Sequence, residues 1–271
     1  MSFDPVSYLL VKQAGGGGGG GASVTVEPLS VSENGVYTAP PGKAYSPVTV
    51  AVPERDPYLY ENCYALNLSR TSNTWTGDPT ITIDCAKMDT MANICNGGSV
   101  NPGYKKIKLK NVPNTGLVLT AAFSGHKDTS AFEALELDGN LIGASTCNAL
   151  FYLNKTIKTV TGGAIDLSAA TSISNFAANA WSLETISFVP SSIKMSITFA
   201  GASELTDDSL VSIVNGLDGT ITGQSLTLHA TPKARCGQIV GTVTDGIFAI
   251  DAGGSTTLLD FATTTKGWTV A

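Results

Sequence analysis

Residues 149–160 read ALFYLNKTIKTV, and residues 176–188 read FAANAWSLETISF. Each begins with an aromatic-centred turn, crosses a short polar gap and ends in a strand whose apolar residues alternate. Shorter copies occur at Phe132–Leu137 (FEALEL), Ile107–Leu109 (IKL) and Leu226–Leu228 (LTL). Strand starts at residues 135, 157 and 183 set the units 22 and 26 residues apart, within the leucine-rich-repeat period. A unit this small cannot bury its apolar edge alone, so neighbours must stack into a solenoid. The expected fold is therefore mixed β/α and β-rich, with a leucine-rich-repeat solenoid over residues 105–230. Its strands are expected at Leu135–Leu137, Ile157–Val160, Thr185–Phe188 and Leu226–Leu228, all in one sheet.

Composition narrows the function. Charged residues make up only 14% of the chain, so its polarity rests on Ser, Thr, Asn and Gly, as in strand- and turn-rich solenoids. A net charge of −6 argues against duplex nucleic acid as a partner. The most basic stretch, Tyr104–Lys110 (YKKIKLK), alternates like a strand with one solvated, charged face. The five cysteines, Cys63, Cys85, Cys95, Cys147 and Cys236, are odd in number and form no C-x-x-C pair. They read as small buried apolar residues of a protein made in a reducing compartment, with a Cys85–Cys95 disulfide as the alternative. His126 and His229 are far apart in sequence, so no zinc site is expected. Residues 1–14 lack the pattern of a secretory signal, and no stretch approaches the roughly 20 apolar residues of a membrane span.

Along the chain, Asp4 and Pro5 carry the cap and first-position chemistry of a helix start, and Val6, Leu9 and Leu10 follow on one face. A short amphipathic helix over residues 1–14 is expected, and its apolar face marks Val6, Leu9 and Leu10 as candidate assembly-docking residues. Gly15–Gly21 starts a linker over residues 15–22; a glycine bundle packed between three chains is the alternative, since glycine alone fits a crowded axis. Residues 23–53 read as a small β module with strands at Val24–Val26, Val36–Tyr37 and Val48–Val52 and turns at Asn34-Gly35 and Pro41-Gly42. Residues 54–104 read as the N-terminal cap, with a strand at Thr80–Ile83 and a short helix at Met88–Ile94. The clearest helix is Asp207–Asn215: Thr206 caps it, Leu205 and Leu210 have staple spacing, and Gly216 supplies the stop. Residues 231–271 read as the C-terminal cap, with a strand at Ile247–Ile250, a short helix at Leu258–Thr264, and Trp268 over the last apolar edge.

Leu205–Leu217 (LTDDSLVSIVNGL), Gly223–Ala230 (GQSLTLHA) and Thr265–Ala271 (TKGWTVA) resemble the C-terminal end of BspA-like leucine-rich-repeat proteins encoded by phages and prophages of Gram-positive bacteria. Ser32–Val50 (SENGVYTAPPGKAYSPVTV) resembles a short β module of phage tail and baseplate proteins. The resemblance implies a virion structural protein, made in the host cytoplasm, that docks to other virion proteins through its N-terminus. It further implies a homo-oligomer, with a trimer favoured. Gly237–Gly254 departs from the shorter ending usual in that group.

No catalytic chemistry is expected. The glycine run is not followed by Gly-Lys-Ser/Thr, no G-x-S-x-G elbow occurs, and no D-x-D-x-D-G loop suits calcium. Asp84, Asp89, Glu133, Glu136 and Asp138 read as solvent-facing or turn-forming acids, and Asp128, Asp166, Asp207, Asp208 and Asp245 as turn or helix-start residues. Trp75, Tyr104, Tyr152 and Trp181 are candidates for stacking on sugars; for Tyr152 and Trp181, core packing or stacking between coils is the stronger reading. No cofactor, metal, nucleic acid or membrane is expected. The functional expectation is a non-enzymatic phage fibre, tail, baseplate or head-decoration protein that displays its repeats to the host surface, with a host cell-surface glycan or protein as the partner it meets there. The alternatives are a bacterial surface adhesin and a capsule depolymerase, the latter requiring paired carboxylates in a groove.

Overall fold

The computed structural model describes residues 80–271, apart from 87–89, 93, 96–104, 113–116, 127–129, 131 and 143; before residue 80 it describes only six short backbone strands. These are β1 (Tyr8–Leu10), β2 (Glu27–Val31), β3 (Val36–Thr38), β4 (Val48–Ala51), β5 (Tyr58–Glu61) and β6 (Leu66–Ser69). The strands β7 (Thr80–Asp84), β8 (Lys106–Lys110), β9 (Leu117–Val118), β10 (Ala134–Leu137), β11 (Ala144–Thr146), β12 (Thr159–Thr161) and β13 (Ile197–Phe199) follow. The helix α1 (Asp207–Gly216), β14 (Ser225–Leu228) and α2 (Ala230–Cys236) come next. The chain ends with β15 (Val240–Thr244), β16 (Ile247–Ile250), β17 (Thr256–Thr257), α3 (Leu258–Asp260), a π-helical turn at Phe261–Thr265, and β18 (Thr269–Val270).

The fold is a β-rich solenoid with few helices. Strands β3, β5, β7, β8, β10 and β12 form one parallel ladder, with β1 and β2 added antiparallel at its start. Ala134 faces Lys106 and Thr159, and Thr159 faces Thr185, so successive coils are 28, 25 and 26 residues long. A second parallel column joins Thr90, Val118, Thr146 and Ser172, and a third joins Leu141, Ile165 and Phe188. Alternation explains the main sheet: in β8 Ile107 and Leu109 point inward, while Lys106, Lys108 and Lys110 stay at the surface. Each coil then stacks its aromatic turn on the next. Phe123, Phe151, Phe176 and Phe199 are buried in sequence, with neighbouring ring centres 6.0, 5.8 and 5.9 Å apart. Ala121, Ala149 and Asn175 occupy the same left-handed position of that turn, with φ of 51°, 53° and 54°.

Buried polar side chains bind one coil to the next. His126 donates from Nε2 to the carbonyl of Cys95 (2.7 Å), and Asn154 donates from Nδ2 to the carbonyl of Phe123 (2.8 Å), each pair 31 residues apart. They occupy one structural position in consecutive coils. The Asn154 Oδ1 also accepts from the amides of Thr156 and Ile157. That clamp turns the chain over residues 154–157 and delays the strand: Leu135 faces Val160, whereas the sequence spacing aligned it with Ile157. At the corners, Asn148 and Gln224 bridge to Ser172, Ser174 and Ser196.

The last coil ends differently from the sequence expectation. Thr185–Phe188 makes only isolated bridges at its two ends, and Leu226–Leu228 lies in a separate parallel sheet, β13–β14–β18. The main-sheet position after Thr185–Phe188 is taken by α1. Thr206 caps it, its hydroxyl accepting from the Ser209 amide. The Ser209 hydroxyl accepts from the Ile186 amide (3.1 Å) and donates to the Glu184 carbonyl (2.9 Å), and the Ser212 hydroxyl accepts from the Phe188 amide (2.9 Å). On another side of α1, the buried Asn215 amide bonds both the N–H and the carbonyl of Phe248 in β16 (2.8 and 2.9 Å). Gly216 is the last helical residue and not a left-handed stop: its cap Leu217 has φ −65°, and a Cβ on Gly216 would sit 2.9 Å from the Phe188 Cβ. Trp268 is buried under this end and donates from its indole to the Asp218 carbonyl (2.8 Å).

Other expectations fare unevenly. The helix expected over residues 1–14 falls largely outside the described residues; the three that are described, Tyr8–Leu10, form a strand paired with β2. Thr90 and Met91, within the helix expected at Met88–Ile94, instead bond to Val118 in the neighbouring coil. Strands β5 and β7 continue the main sheet through residues 54–104.

Two substitutions test this stacking. A Cβ on Gly163 would collide with the Gly139 carbonyl of the preceding coil, so Gly163→Ala should destabilise by about 1–3 kcal/mol. Asn154→Ala leaves one carbonyl and two amides without their partner and should cost roughly 3 kcal/mol, since buried unpaired groups cost about 1–3 kcal/mol each. Urea unfolding curves give both values.

Candidate functional site

The described surface offers three places where functional groups converge. The first is the solvent side of the main sheet. Glu136 in β10 is held by Lys106 (3.1 Å) and Lys108, and Lys158 pairs with Glu133 at 3.4 Å. The hydrogen bonds from Lys108 and Lys106 hold the Glu136 carboxyl below the usual carboxylate range. Asp84 accepts from Ala86 and Asn111, Asp166 from Ser168, and Asp245 sits in the β15–β16 turn. Asp84 and Asp166 organise turns, while Glu133 and Glu136 pair with lysines of neighbouring coils.

The second is the corner before the main sheet. Trp181 is 39% exposed, and the Lys155 ammonium of the preceding coil lies 5.0 Å from its ring centre. Tyr152 is half-buried. The two aromatics do not share a repeat position: Leu153 bonds to Ala178, so Trp181 lies beyond the level of Tyr152. Trp181 meets the preceding coil through Lys155, as a cation–π contact on an exposed ring.

The third is a cleft of about 510 Å³ in the C-terminal cap, lined by Asp207, Arg235, Gln238, Ile239, Val240 and Ile250. The first turn of α1 supplies Asp207 and the last turn of α2 supplies Arg235, each at the helix end that suits its charge. Arg235 donates from Nε (3.0 Å) and Nη2 to the Oδ1 of Asp207, and from Nη1 to the Leu205 carbonyl. The strands β15 and β16 supply the aliphatic wall, where Ile250 is 52% exposed. Asp207 and the strand at Ile247–Ile250 were legible separately in the sequence. The helix α2 was not, although His229 caps it by accepting from the Thr231 amide.

A fourth cluster is internal. His126 is fully buried between Cys95 and Ser130, with Nδ1 2.9 Å from the Ser130 hydroxyl and Nε2 3.3 Å from the Cys95 sulfur. Because Nε2 meets a carbonyl, it carries the proton, and Nδ1 accepts from Ser130. Burial lowers the His126 pKa to about 4, so the ring is neutral at pH 7. Burial pushes the Cys147 and Cys236 thiols up to about 12 and 11, which suppresses thiolate chemistry. Cys85, Cys95, Cys147 and Cys236 are all buried, and Cys85 and Cys95 are not joined in a disulfide.

No protein-family model, curated protein or solved structure matches the chain.

Among the described residues, no three His, Cys, Asp or Glu side chains are grouped to hold a metal ion, and no helix is long and apolar enough to cross a membrane. Of the candidate residues, Val6, Cys63, Trp75, Asp89, Tyr104 and Asp128 lie outside the described residues, and Leu9 and Leu10 are in β1.

The buried histidine gives stability a defined pH dependence. The unfolded chain takes up a proton near pH 6.5, whereas the folded chain resists until about pH 4. Stability is therefore full above pH 6.5 and falls as pH drops towards 4, by up to about 3 kcal/mol. His126→Gln should be less stable at pH 7 but lose this part of the acid slope, as read by denaturant melts at pH 7 and pH 4.5.

Proposed function

We propose that this chain is a structural protein of a phage virion, belonging to a fibre, tail, baseplate or head decoration. It docks to other virion proteins through its N-terminal segment and displays a BspA-like leucine-rich-repeat solenoid to the host surface. The observation that carries this reading is the co-occurrence in one chain of ENGVYTAPPGKAYSPVTV, an ending in TKGWTVA, and a repeating β-solenoid between them. The C-terminal cap supports it, because α1 and the β15–β16 hairpin cover the end of the coil stack and leave its sides as the presented surface. The buried free thiols of Cys147 and Cys236 fit synthesis in a reducing cytoplasm.

In this reading Val6, Leu9 and Leu10 carry the docking, and a trimer multiplies weak contacts to the cell surface. No catalysis, cofactor or metal is part of the function.

Deleting residues 1–14 removes the edge strand β1 but should leave the repeats folded and abolish incorporation into particles. Mass spectrometry of purified virions from cells expressing full-length and truncated chains tests this. Normal incorporation of the truncated chain would refute it. Light scattering on the intact chain should report a trimer at micromolar concentration.

A further inference from the structure

We infer that the cleft between α1, α2 and the β15–β16 hairpin is a saccharide-binding site for neutral, hydroxyl-rich glycans. The inference rests on the host-surface display reading and assigns the ligand class. The volume of 510 Å³ lies within the range of about 300–1,000 Å³ typical of small-molecule sites and admits one or two sugar rings.

The chemistry of the wall selects the ligand. Ile250 and the half-buried Val240, with Ile239 buried beneath them, form an aliphatic surface that the C–H face of a pyranose can cover. Above it, Asp207 spends Oδ1 on Arg235 and keeps Oδ2 as an acceptor, while the exposed Gln238 amide offers both a donor and an acceptor. Hydroxyl groups, which donate and accept at once, match that mixture.

Charge excludes the other small-molecule classes. Arg235 and Asp207 neutralise each other within the cleft, so a carboxylate, phosphate or ammonium group finds no unspent counter-charge there. Over residues 203–271 there are seven Asp and Glu against three Lys and Arg, a field that repels sialylated, uronic or phosphate-bearing glycans. The ion pair instead fixes the guanidinium and carboxylate planes before a ligand arrives, since Arg235 is also anchored to the Leu205 carbonyl.

The test is a printed array of neutral hexose, deoxyhexose and N-acetylhexosamine oligosaccharides, with sialylated and phosphorylated glycans alongside. It is read with the full-length chain and three variants: Gln238→Ala, Ile250→Thr and Trp181→Ala. The first two replace exposed side chains and should leave thermal unfolding unchanged, which circular dichroism verifies. The expected result is binding to neutral glycans that falls at least about tenfold in Gln238→Ala and Ile250→Thr and persists in Trp181→Ala. Three outcomes would overturn the inference: no neutral glycan bound, a preference for anionic glycans, or binding lost only in Trp181→Ala. Adsorption to host cells is measured on the same proteins. Cell binding that survives in the cleft variants sinks the site but not the display function, whereas absence of cell binding by the unaltered chain sinks the display function itself.

Discussion

A parallel sheet that stops leaves a row of backbone amides and carbonyls with no partner, and in this solenoid one short helix answers for them. The edge of the last coil, at Glu184, Ile186 and Phe188, meets the hydroxyls of Ser209 and Ser212. The hairpin strand carrying Phe248 meets the Asn215 amide. Ser209, Ser212 and Asn215 are spaced three residues apart on α1, so one helix closes two sheets with side chains that stand in for a strand. Everything C-terminal to residue 206 is arranged around that closure. Phe248 is pinned by Asn215, α2 is tied to the start of α1 through Arg235 and Asp207, and Trp268 covers the floor by bonding Asp218. The cleft in the cap follows from the same arrangement, because its walls are the elements that α1 holds apart.

The same solution recurs inside the stack. Coils of 28, 25 and 26 residues cannot keep every backbone group in register at the corners. His126 and Asn154 supply the missing bonds in the interior, and Asn148, Asn140 and Gln224 do so nearer the surface. This accounts for a chain that is poor in charge but rich in Ser, Thr and Asn: its polar residues repair the ladder between coils and do not merely face water. Their burial has chemical consequences. A neutral imidazole and inert thiols are what a dry, stacked interior imposes.

How much of this was legible in the sequence depended on the range of the signal. The helix α1 was readable because Thr206, Asp207 and Asp208 act within a single turn. The strands at Leu135–Leu137 and Ile247–Ile250, and the burial of Trp268, were readable from local alternation and end position. The register was not, because the three-residue delay before Val160 is made by the Asn154 side chain, which no periodicity encodes. Aligning the chain on Phe123 and Phe151 would have placed His126 and Asn154 at one position and exposed the polar ladder. The separation of Leu226–Leu228 from the main sheet was hidden for a similar reason: a helix occupies the place where another strand was expected. The cleft joins residues 207, 235, 239 and 250 from four segments, and their meeting is a property of the cap alone.

Native-state hydrogen exchange of single amides tests the closure most directly. In the unaltered protein the amides of Ile186, Phe188 and Phe248 should be protected to nearly the global stability, like those of the inner strands. In Ser209→Ala the Ile186 amide should lose protection by at least about tenfold while Phe248 keeps its own, and in Asn215→Ala the pattern should reverse. Rapid exchange at all three positions in the unaltered protein would show that α1 does not close these sheets, and would contradict the account.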